Sequence, residues 1–182
     1  KGGTHLPNLT LVSPVHDDQG VLRFHVANRA HHADVGGISP GSLPLSKHID
    51  EEGFRTGPVL LDDEVIQALY AATRTPQERE GDLHAQIAAN TRGARRLREQ
   101  ITARGEAFLR AAGGLQDYSE RMMRAFIREL PDGTWSSEDV IEDDGHGHCD
   151  LVISCVLTVR GEGIEFDFSG SVDRTEGPLN VP

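Results

Sequence analysis

Aromatic residues and cysteines are scarce in this chain of 182 residues, which has 5% aromatic side chains and two cysteines. Two cysteines supply neither a disulfide framework nor the spaced thiolates of a zinc motif, so we expect Cys149 and Cys155 to be reduced. No apolar run approaches the roughly 18 residues of a membrane span, and we expect no targeting leader. These absences predict a cytoplasmic protein that makes no membrane contact.

Basic residues are also few, because 18 Lys and Arg stand against 29 Asp and Glu, a formal net charge of -11 at pH 7. Nucleic acids and anionic membranes require a basic face, so neither is an expected partner. Glycine and proline are plentiful, with 20 and nine residues, and predict many turns. The sequence begins and stops inside glycine- and proline-rich loops, and we expect it to be a piece of a longer chain.

The hydrophobic pattern runs from strands to helices and back to strands, which predicts an α+β fold with antiparallel β hairpins flanking a central long-helix segment. We divide the chain into a hairpin with glycine- and histidine-rich site loops (1–60), a helical segment (61–131) and a β segment (132–182), all within one larger domain. Strands are predicted at 9–15 and 21–27 in the first segment, and at 134–141, 150–160 and 164–168 in the last. Helices are predicted at 62–73, at 75–112 ending at Gly113-Gly114, and at 117–130.

The segment from Ala27 to Gly37 is the first candidate site, because His31, His32 and Asp34 precede two glycines there. In an extended strand, His32 and Asp34 would share a face and His31 would point away. If the chain turns after Ala30, His31 and Asp34 converge instead, and the glycines favour this form. Either geometry yields one His and one Asp, too few for a metal site.

Further ligands must come from elsewhere, and His5 before the hairpin and His48 after it are the candidates. A mixed nitrogen and oxygen set suits Zn²⁺, Mn²⁺ or Fe²⁺ better than Ca²⁺. The alternative is a pair of structural histidines held by hydrogen bonds. His146 and His148 form a second cluster beside Asp143 and Asp144, which is more typical of an exposed hairpin loop than of a metal site.

Several segments together resemble one known family, in matching order and approximate spacing along the whole chain. They are Gly2-Gly3-Thr4-His5-Leu6-Pro7, Ala27–Gly37, Pro40-Gly41-Ser42, Glu51-Glu52-Gly53, Gly81-Asp82-Leu83 with Ala85-Gln86, Tyr118-Ser119-Glu120, and Asp167–Ser171 with Gly177–Asn180. By these residues the chain resembles the hydantoinase B / 5-oxoprolinase family, which includes the B-type component of N-methylhydantoinase and is related to acetone and acetophenone carboxylase subunits. The resemblance is to an internal fragment of these proteins.

The resemblance implies a B-type subunit of an ATP-dependent cyclic-amide hydrolase. An A-type subunit or fused domain would use ATP to phosphorylate a small cyclic amide of the hydantoin or 5-oxoproline type, and the B-type part would open the ring at a C–N bond. It implies a hetero-oligomer and a divalent metal ion of the Zn or Mn type. By similarity, His31 and Asp34 are the first metal-ligand candidates, followed by His5 and His48. Gly36, Gly37 and Ser42 are candidates for substrate binding, and the catalytic residues stay unassigned.

Two other functions remain open beside the hydrolase. The first is a subunit of an ATP-dependent ketone carboxylase, which the same resemblance implies. The second is a non-catalytic assembly module, in which Arg92, Arg95, Arg96 and Arg98 of the long helix dock a partner. One departure bears on the metal site: many relatives carry Asp where this chain has Asn8, a neutral and weaker ligand.

Overall fold

The computed structural model describes residues 5–180 and confirms the α+β class. The described residues form two compact units, of which the first comprises the residues up to 103 and from 177 onward and the second comprises residues 104–176. This division falls at the end of the long helix. A short 3₁₀ helix covers Ile49–Glu51 in the first unit. The helices and strands, in chain order, are β1 (Asn8–His16), β2 (Leu22–His31), α1 (Asp63–Ala72), α2 (Pro76–Arg104), α3 (Glu106–Arg128), β3 (Gly133–Asp143), β4 (Cys149–Arg160) and β5 (Gly163–Asp167).

Strands β1 and β2 form the predicted antiparallel hairpin, in which Asn8 is the register partner of His31. The Asp17 carboxylate closes the turn by accepting hydrogen bonds from the backbone N–H groups of Gln19 and Val21. Strand β2 extends through His31 instead of stopping near residue 27, because its ladder with β1 continues to Asn8. The turn expected after Ala30 is therefore absent, and the chain leaves the sheet only after His31.

Side chains alternate between the two faces of this hairpin. The even-numbered residues of β2 from Phe24 to Ala30 are partly buried and the odd-numbered residues from His25 to His31 are exposed. The partly buried face lies against α2, since Gly93 of that helix approaches Val26 and the side chain of Asn28 bonds to residues of α2. His31 consequently points to the opposite, solvent-accessible face.

The core of the first unit lies between the hairpin, the following loop and the helices. Val35, Leu69 and Leu83 are buried together there, and they bring one residue each from the loop, α1 and α2. Each buried aliphatic side chain of this kind contributes about 1.5–3 kcal/mol relative to its exposed state. The partly buried residues packed around them are Leu6, Leu9, Leu11, Phe54, Ile66, Tyr70 and Ile87.

The helical region breaks at Gly105 and not at Gly113-Gly114, so the predicted helix 75–112 is wrong in its end point. Gly105 takes a φ of 54°, which is accessible to glycine at little cost and ends α2. Gly113 and Gly114 lie within α3, at a cost of about 1 kcal/mol each relative to alanine. Composition alone does not distinguish these glycines, because the sign of φ depends on the surrounding packing.

The second unit consists of α3 and an antiparallel sheet in the order β3–β4–β5, with α3 contacting β5. Of the nearly continuous apolar run in β4, Leu151 and Val159 are buried, whereas several other positions are only partly covered. Cys149 and Cys155 both lie on this strand as free thiols, as expected. Among residues 5–180, no helix is long and apolar enough to cross a bilayer.

Two glycines of α2 should respond oppositely to alanine. A Cβ at Gly93 would lie 2.9 Å from Val26 Cγ1, and overpacking of this kind costs about 1–3 kcal/mol, which exceeds the gain in helix propensity. A Cβ at Gly81 meets no atom within 4 Å in the part of the chain that the structure describes, so Gly81→Ala should stabilise by up to about 1 kcal/mol. Urea unfolding of both variants in the full-length protein measures the difference. Equal stabilisation of both would contradict the close approach of α2 to β2.

Candidate functional site

Three polar side chains that are distant in sequence meet at the end of the hairpin. The Nε2 atoms of His5 and His31 are 3.1 Å apart, and the Ser42 hydroxyl lies 3.0 Å from the first and 2.9 Å from the second. The ring centroids are 5.1 Å apart, so the two imidazoles converge at their Nε2 ends. We call His5, His31 and Ser42 the histidine–serine cluster.

Hydrogen bonding alone does not account for all three contacts in this cluster. A neutral imidazole offers either one N–H or one lone pair at Nε2, and the hydroxyl has a single hydrogen. At most two of the three edges can therefore be ordinary two-centre hydrogen bonds. Two donor atoms bound to one ion at about 2.0–2.2 Å lie about 2.8–3.1 Å apart at an octahedral angle and about 3.3–3.6 Å apart at a tetrahedral angle. The observed N···N separation of 3.1 Å falls within the octahedral range.

Backbone hydrogen bonds bring the three residues of the cluster together. The N–H of His32 donates to the carbonyl of Pro7 at 2.8 Å, which joins the end of β2 to the segment that carries His5. The N–H of Gly41 donates to the carbonyl of Ala33 at 2.9 Å, which folds the loop back so that Ser42 reaches His31. The next residue, Leu43, has a φ of 52°, an uncommon conformation for a side chain of its type.

Within the part of the chain that the structure describes, no acidic side chain joins the two histidines to form a larger ligand group. No group of three or more His, Cys, Asp or Glu residues suited to a metal ion occurs between residues 5 and 180. Asn8 is the nearest additional donor by register, because it pairs with His31 across the hairpin and shares its face. The cluster therefore provides two nitrogen donors and one neutral oxygen, to which Asn8 could add a second neutral oxygen.

Asp34 lies apart from the histidine–serine cluster and braces the loop instead. One carboxylate oxygen accepts from the N–H of Gly36 at 2.8 Å and from Arg74 Nη1 at 2.9 Å, and the other accepts from the N–H of Arg74 at 2.7 Å. Burial raises the pKa of Asp34, but hydrogen bonds from Arg74, Gly36 and Thr73 and the charge of Arg74 outweigh it and hold this pKa below 3.8. The metal role predicted for Asp34 stays a prediction.

Gly36 is buried and Gly37 is exposed, and both pass close to the backbone of other segments. Their φ angles are 93° and 74°, and a Cβ on Gly36 would lie 2.5 Å from the carbonyl oxygen of Ala72. A Cβ on Gly37 would meet the carbonyl oxygen of Glu51. Only glycine fits this close passage of the loop over α1 and the 3₁₀ helix. Their predicted part in substrate binding remains untested, whereas Ser42 lies in the cluster.

The structure places His48 at the start of the 3₁₀ helix, where its Nδ1 accepts from the N–H of Asp50 at 3.3 Å. The same nitrogen lies 3.3 Å from the Asp50 carboxylate, and both side chains are more than 60% exposed. Arg55 also contacts Asp50. His48 thus has a capping role in the described structure, and its predicted role as a metal ligand is not tested by it.

Sequence reasoning missed a network of side-chain amides behind the cluster, formed by the buried Gln86 and Asn90 and the partly buried Asn28. Gln86 Nε2 donates to the Leu9 carbonyl at 3.0 Å and to Asn28 Oδ1 at 2.7 Å, and Gln86 Oε1 lies 2.9 Å from His32 Nε2. Asn28 Nδ2 donates to the backbone carbonyl of Gln86 and to Asn90 Oδ1. The sequence contained one sign of this network, because Gln86 and Asn90 are polar residues that fall four apart within the apolar stripe of α2.

The second histidine cluster has the structure of a braced hairpin loop, the alternative favoured above. The buried Asp144 carboxylate accepts from the N–H groups of His146 and His148 and lies 2.8 Å from His148 Nδ1. Burial raises the pKa of Asp144, but these bonds and the charge of His148 outweigh burial and lower it well below its usual range. The carboxylate organises the turn between β3 and β4.

Comparison with known proteins gives one consistent family. The model of the family Hydantoinase B/oxoprolinase matches residues 1–182. The beta subunit of a caprolactamase from Pseudomonas jessenii is 36% identical over 168 residues, which are 88% of this chain and 29% of that protein. A 5-oxoprolinase from Arabidopsis thaliana is 32% identical over an alignment that covers all of this chain and 17% of the plant protein.

A solved structure is also similar. The crystal structure of ATP-dependent caprolactamase from Pseudomonas jessenii superposes with a TM-score of 0.80 at 33% identity, covering 90% of this chain and 30% of that one. The chain therefore spans less than a third of the length of each of these three proteins.

Replacing Asp34 with Asn should destabilise the loop by about 2–3 kcal/mol, below the cost of breaking a fully buried pair because Arg74 is 44% exposed. The amide nitrogen would face donors on Gly36 or Arg74. Because the folded-state pKa is lowered, the carboxylate stabilises the native state above the unfolded pKa of 3.8, and this contribution is lost as pH falls through the folded value.

Urea unfolding between pH 7 and pH 3 measures both effects. The matched control is Asp50→Asn, which removes an exposed carboxylate paired with Arg55 and should cost no more than about 0.5 kcal/mol. A similar small cost for both variants would show that the Asp34–Arg74 contact does not hold the loop.

Proposed function

Because the chain belongs to the hydantoinase B/oxoprolinase family, we propose that it is part of the B-type subunit of an ATP-dependent cyclic-amide hydrolase. The substrate class is a small cyclic amide such as hydantoin, 5-oxoproline or caprolactam. An A-type subunit or fused domain uses ATP to activate the ring, and the B-type part opens the C–N bond. The names of the relatives support this class, since a caprolactamase and an oxoprolinase both act on cyclic amides.

The histidine–serine cluster is the observation that carries this proposal to particular residues. His5 and His31 present two nitrogens that converge on one point, on the solvent-accessible face of the hairpin where a substrate can approach. These nitrogens would hold a divalent ion of the Zn or Mn type, with Ser42 beside them. Such an ion, when bound, polarises a carbonyl or phosphoryl oxygen or lowers the pKa of a water molecule.

The chain's own residues have distinct tasks in this proposal. His5 and His31 orient their lone pairs toward the ion, which requires both rings to carry their hydrogen on Nδ1. Ser42 lies within hydrogen-bonding distance of both rings and can donate to an oxygen of the substrate. Asp34 and Arg74 keep the loop folded so that Ser42 stays in place, and His48 caps the neighbouring 3₁₀ helix.

The proposal is tested with the full-length chain coexpressed with its A-type partner. We expect ATP-dependent ring opening of at least one of hydantoin, 5-oxoproline and caprolactam. Chromatography of the open-chain product measures this activity. His31→Ala should abolish this activity and lower metal affinity more than the roughly 10- to 100-fold typical of changes behind metal ligands. His84→Ala, which changes an exposed position of α2, is the matched control and should leave both unchanged.

Three outcomes would overturn parts of the proposal. Bicarbonate-dependent consumption of a ketone without opening of any cyclic amide would indicate a carboxylase. Full activity and metal content in both His31→Ala and His5→Ala would indicate an assembly role for this segment. If His48→Ala loses the bound metal and His5→Ala keeps it, the ligand set would contain His48 and not His5.

A further inference from the structure

Gln86 bonds to both of the adjacent segments that carry His5 and His31. Its amide nitrogen holds the Leu9 carbonyl, four residues after His5, and its amide oxygen meets the ring of His32, the residue after His31. The hydrogen bond from the backbone N–H of His32 to the carbonyl of Pro7 joins the same two segments. Gln86 and His32 are both buried, at 5% and 0% exposure, so water does not compete for these bonds.

The direction of every hydrogen bond in the amide network follows from the backbone carbonyls at its ends. A carbonyl only accepts, so Leu9 fixes Nε2 of Gln86 as the donor and leaves Oε1 facing His32. Asn28 and Asn90 are oriented in the same way by the carbonyls of Gln86 and Leu11. His32 therefore carries its hydrogen on Nε2 and donates it to Gln86.

Holding His32 inward has a consequence for His31. Successive residues at the end of a strand point to opposite faces, so the direction of His31 follows from those of its neighbours. Ala30 faces α2 in the partly buried row, and His32 is held by Gln86 of that helix. With both neighbours facing α2, His31 is turned outward toward His5 and Ser42.

We infer that Gln86 is a positioning residue that sets the separation of the His5 and His31 rings. The inference rests on the proposed function only in so far as those rings bind a metal ion. Gln86 touches neither ring and acts through His32 and through the segment ending at Leu9. Asn90, one helical turn further on, also bonds to Asn28, but its other hydrogen bonds go to Leu11 and Ser13, away from the histidines. It therefore serves as a matched control.

The test compares Gln86→Met with Asn90→Leu in the full-length protein with any partner subunit it retains. Each substitution removes one buried amide and approximately keeps side-chain volume, so both should lower stability to a similar extent. The probe is Co²⁺, titrated by its visible absorption and competed with Zn²⁺. We expect Gln86→Met to weaken Co²⁺ binding about 10- to 100-fold, as changes behind metal ligands do, and Asn90→Leu to change it less than about threefold.

Crystal structures of the metal-free variants give a readout that does not depend on metal binding. The His5–His31 Nε2 separation should exceed about 4 Å in Gln86→Met and stay near 3.1 Å in Asn90→Leu. If Gln86→Met does not fold, Gln86→Glu serves instead, since it keeps the acceptor for His32 but loses the donor to Leu9.

The outcomes separate this inference from the proposed function. An unchanged ring separation in both variants, or the same change in both, would overturn the positioning role of Gln86. A wild-type protein that binds no Co²⁺, together with ring separation only in the Gln86 variant, would refute the metal site and leave the positioning role standing. Equal Co²⁺ affinities in wild type and Gln86→Met would also contradict the inference.

Discussion

Three side-chain amides, from the buried Gln86 and Asn90 and the partly buried Asn28, hold α2 against the hairpin, and the candidate site depends on this contact. Each amide bonds to a backbone carbonyl as well as to another amide, so the helix and the strands have one allowed register. An apolar contact of similar area would permit sliding, because dispersion and hydrophobic burial are not directional. The directional network is therefore suited to fixing where β2 ends and where His31 points.

The network is also sensitive to any missing member. A buried amide that loses its partner costs about 1–3 kcal/mol, so removing any one of the three lowers the stability of the unit. His32 lies at one end of the network, and its Nδ1 has no partner among the residues that the structure describes. The same residues that stabilise the unit thus transmit their geometry to the outer face of the hairpin.

The acidic side chain of the site loop serves a different purpose from the histidines. Asp34 binds Arg74 and two backbone N–H groups, so its charge is neutralised within the loop. The histidine–serine cluster is left with neutral donors, which would hold a divalent ion less tightly than a set with a carboxylate. Asn8, which pairs with His31, adds another neutral side chain on the same face.

Much of the fold could be predicted from the sequence, because local periodicity determines local structure. Alternation identified the hairpins, and three- and four-residue spacing identified the helices. The end of β2 and the break at Gly105 were not predictable in this way, since both depend on pairing and φ angles set by distant residues. The spacing of three favoured His31 and Asp34 as partners, but Asp34 binds Arg74, 40 residues further on.

The site itself was predictable only in part, for the same reason. His5 and His31 were both candidate ligands, but His5 precedes the first paired residue, Asn8, so the hairpin register alone does not bring the two rings together. Ser42 was a candidate for substrate binding, and nothing in its spacing indicated a contact with both rings. Gln86 was visible as a polar residue in an apolar stripe, but its partners Leu9 and His32 required the tertiary structure.

Convergence of His5 and His31 on one metal ion is the central claim for this site. The most direct measurement is a crystal structure of the full-length protein grown with Mn²⁺ or Zn²⁺, with anomalous diffraction recorded at the metal edge. We expect one anomalous peak about 2.0–2.2 Å from both Nε2 atoms. A peak at Asp34 or His48 with the two rings still in direct contact, or no peak near either ring, would contradict the claim.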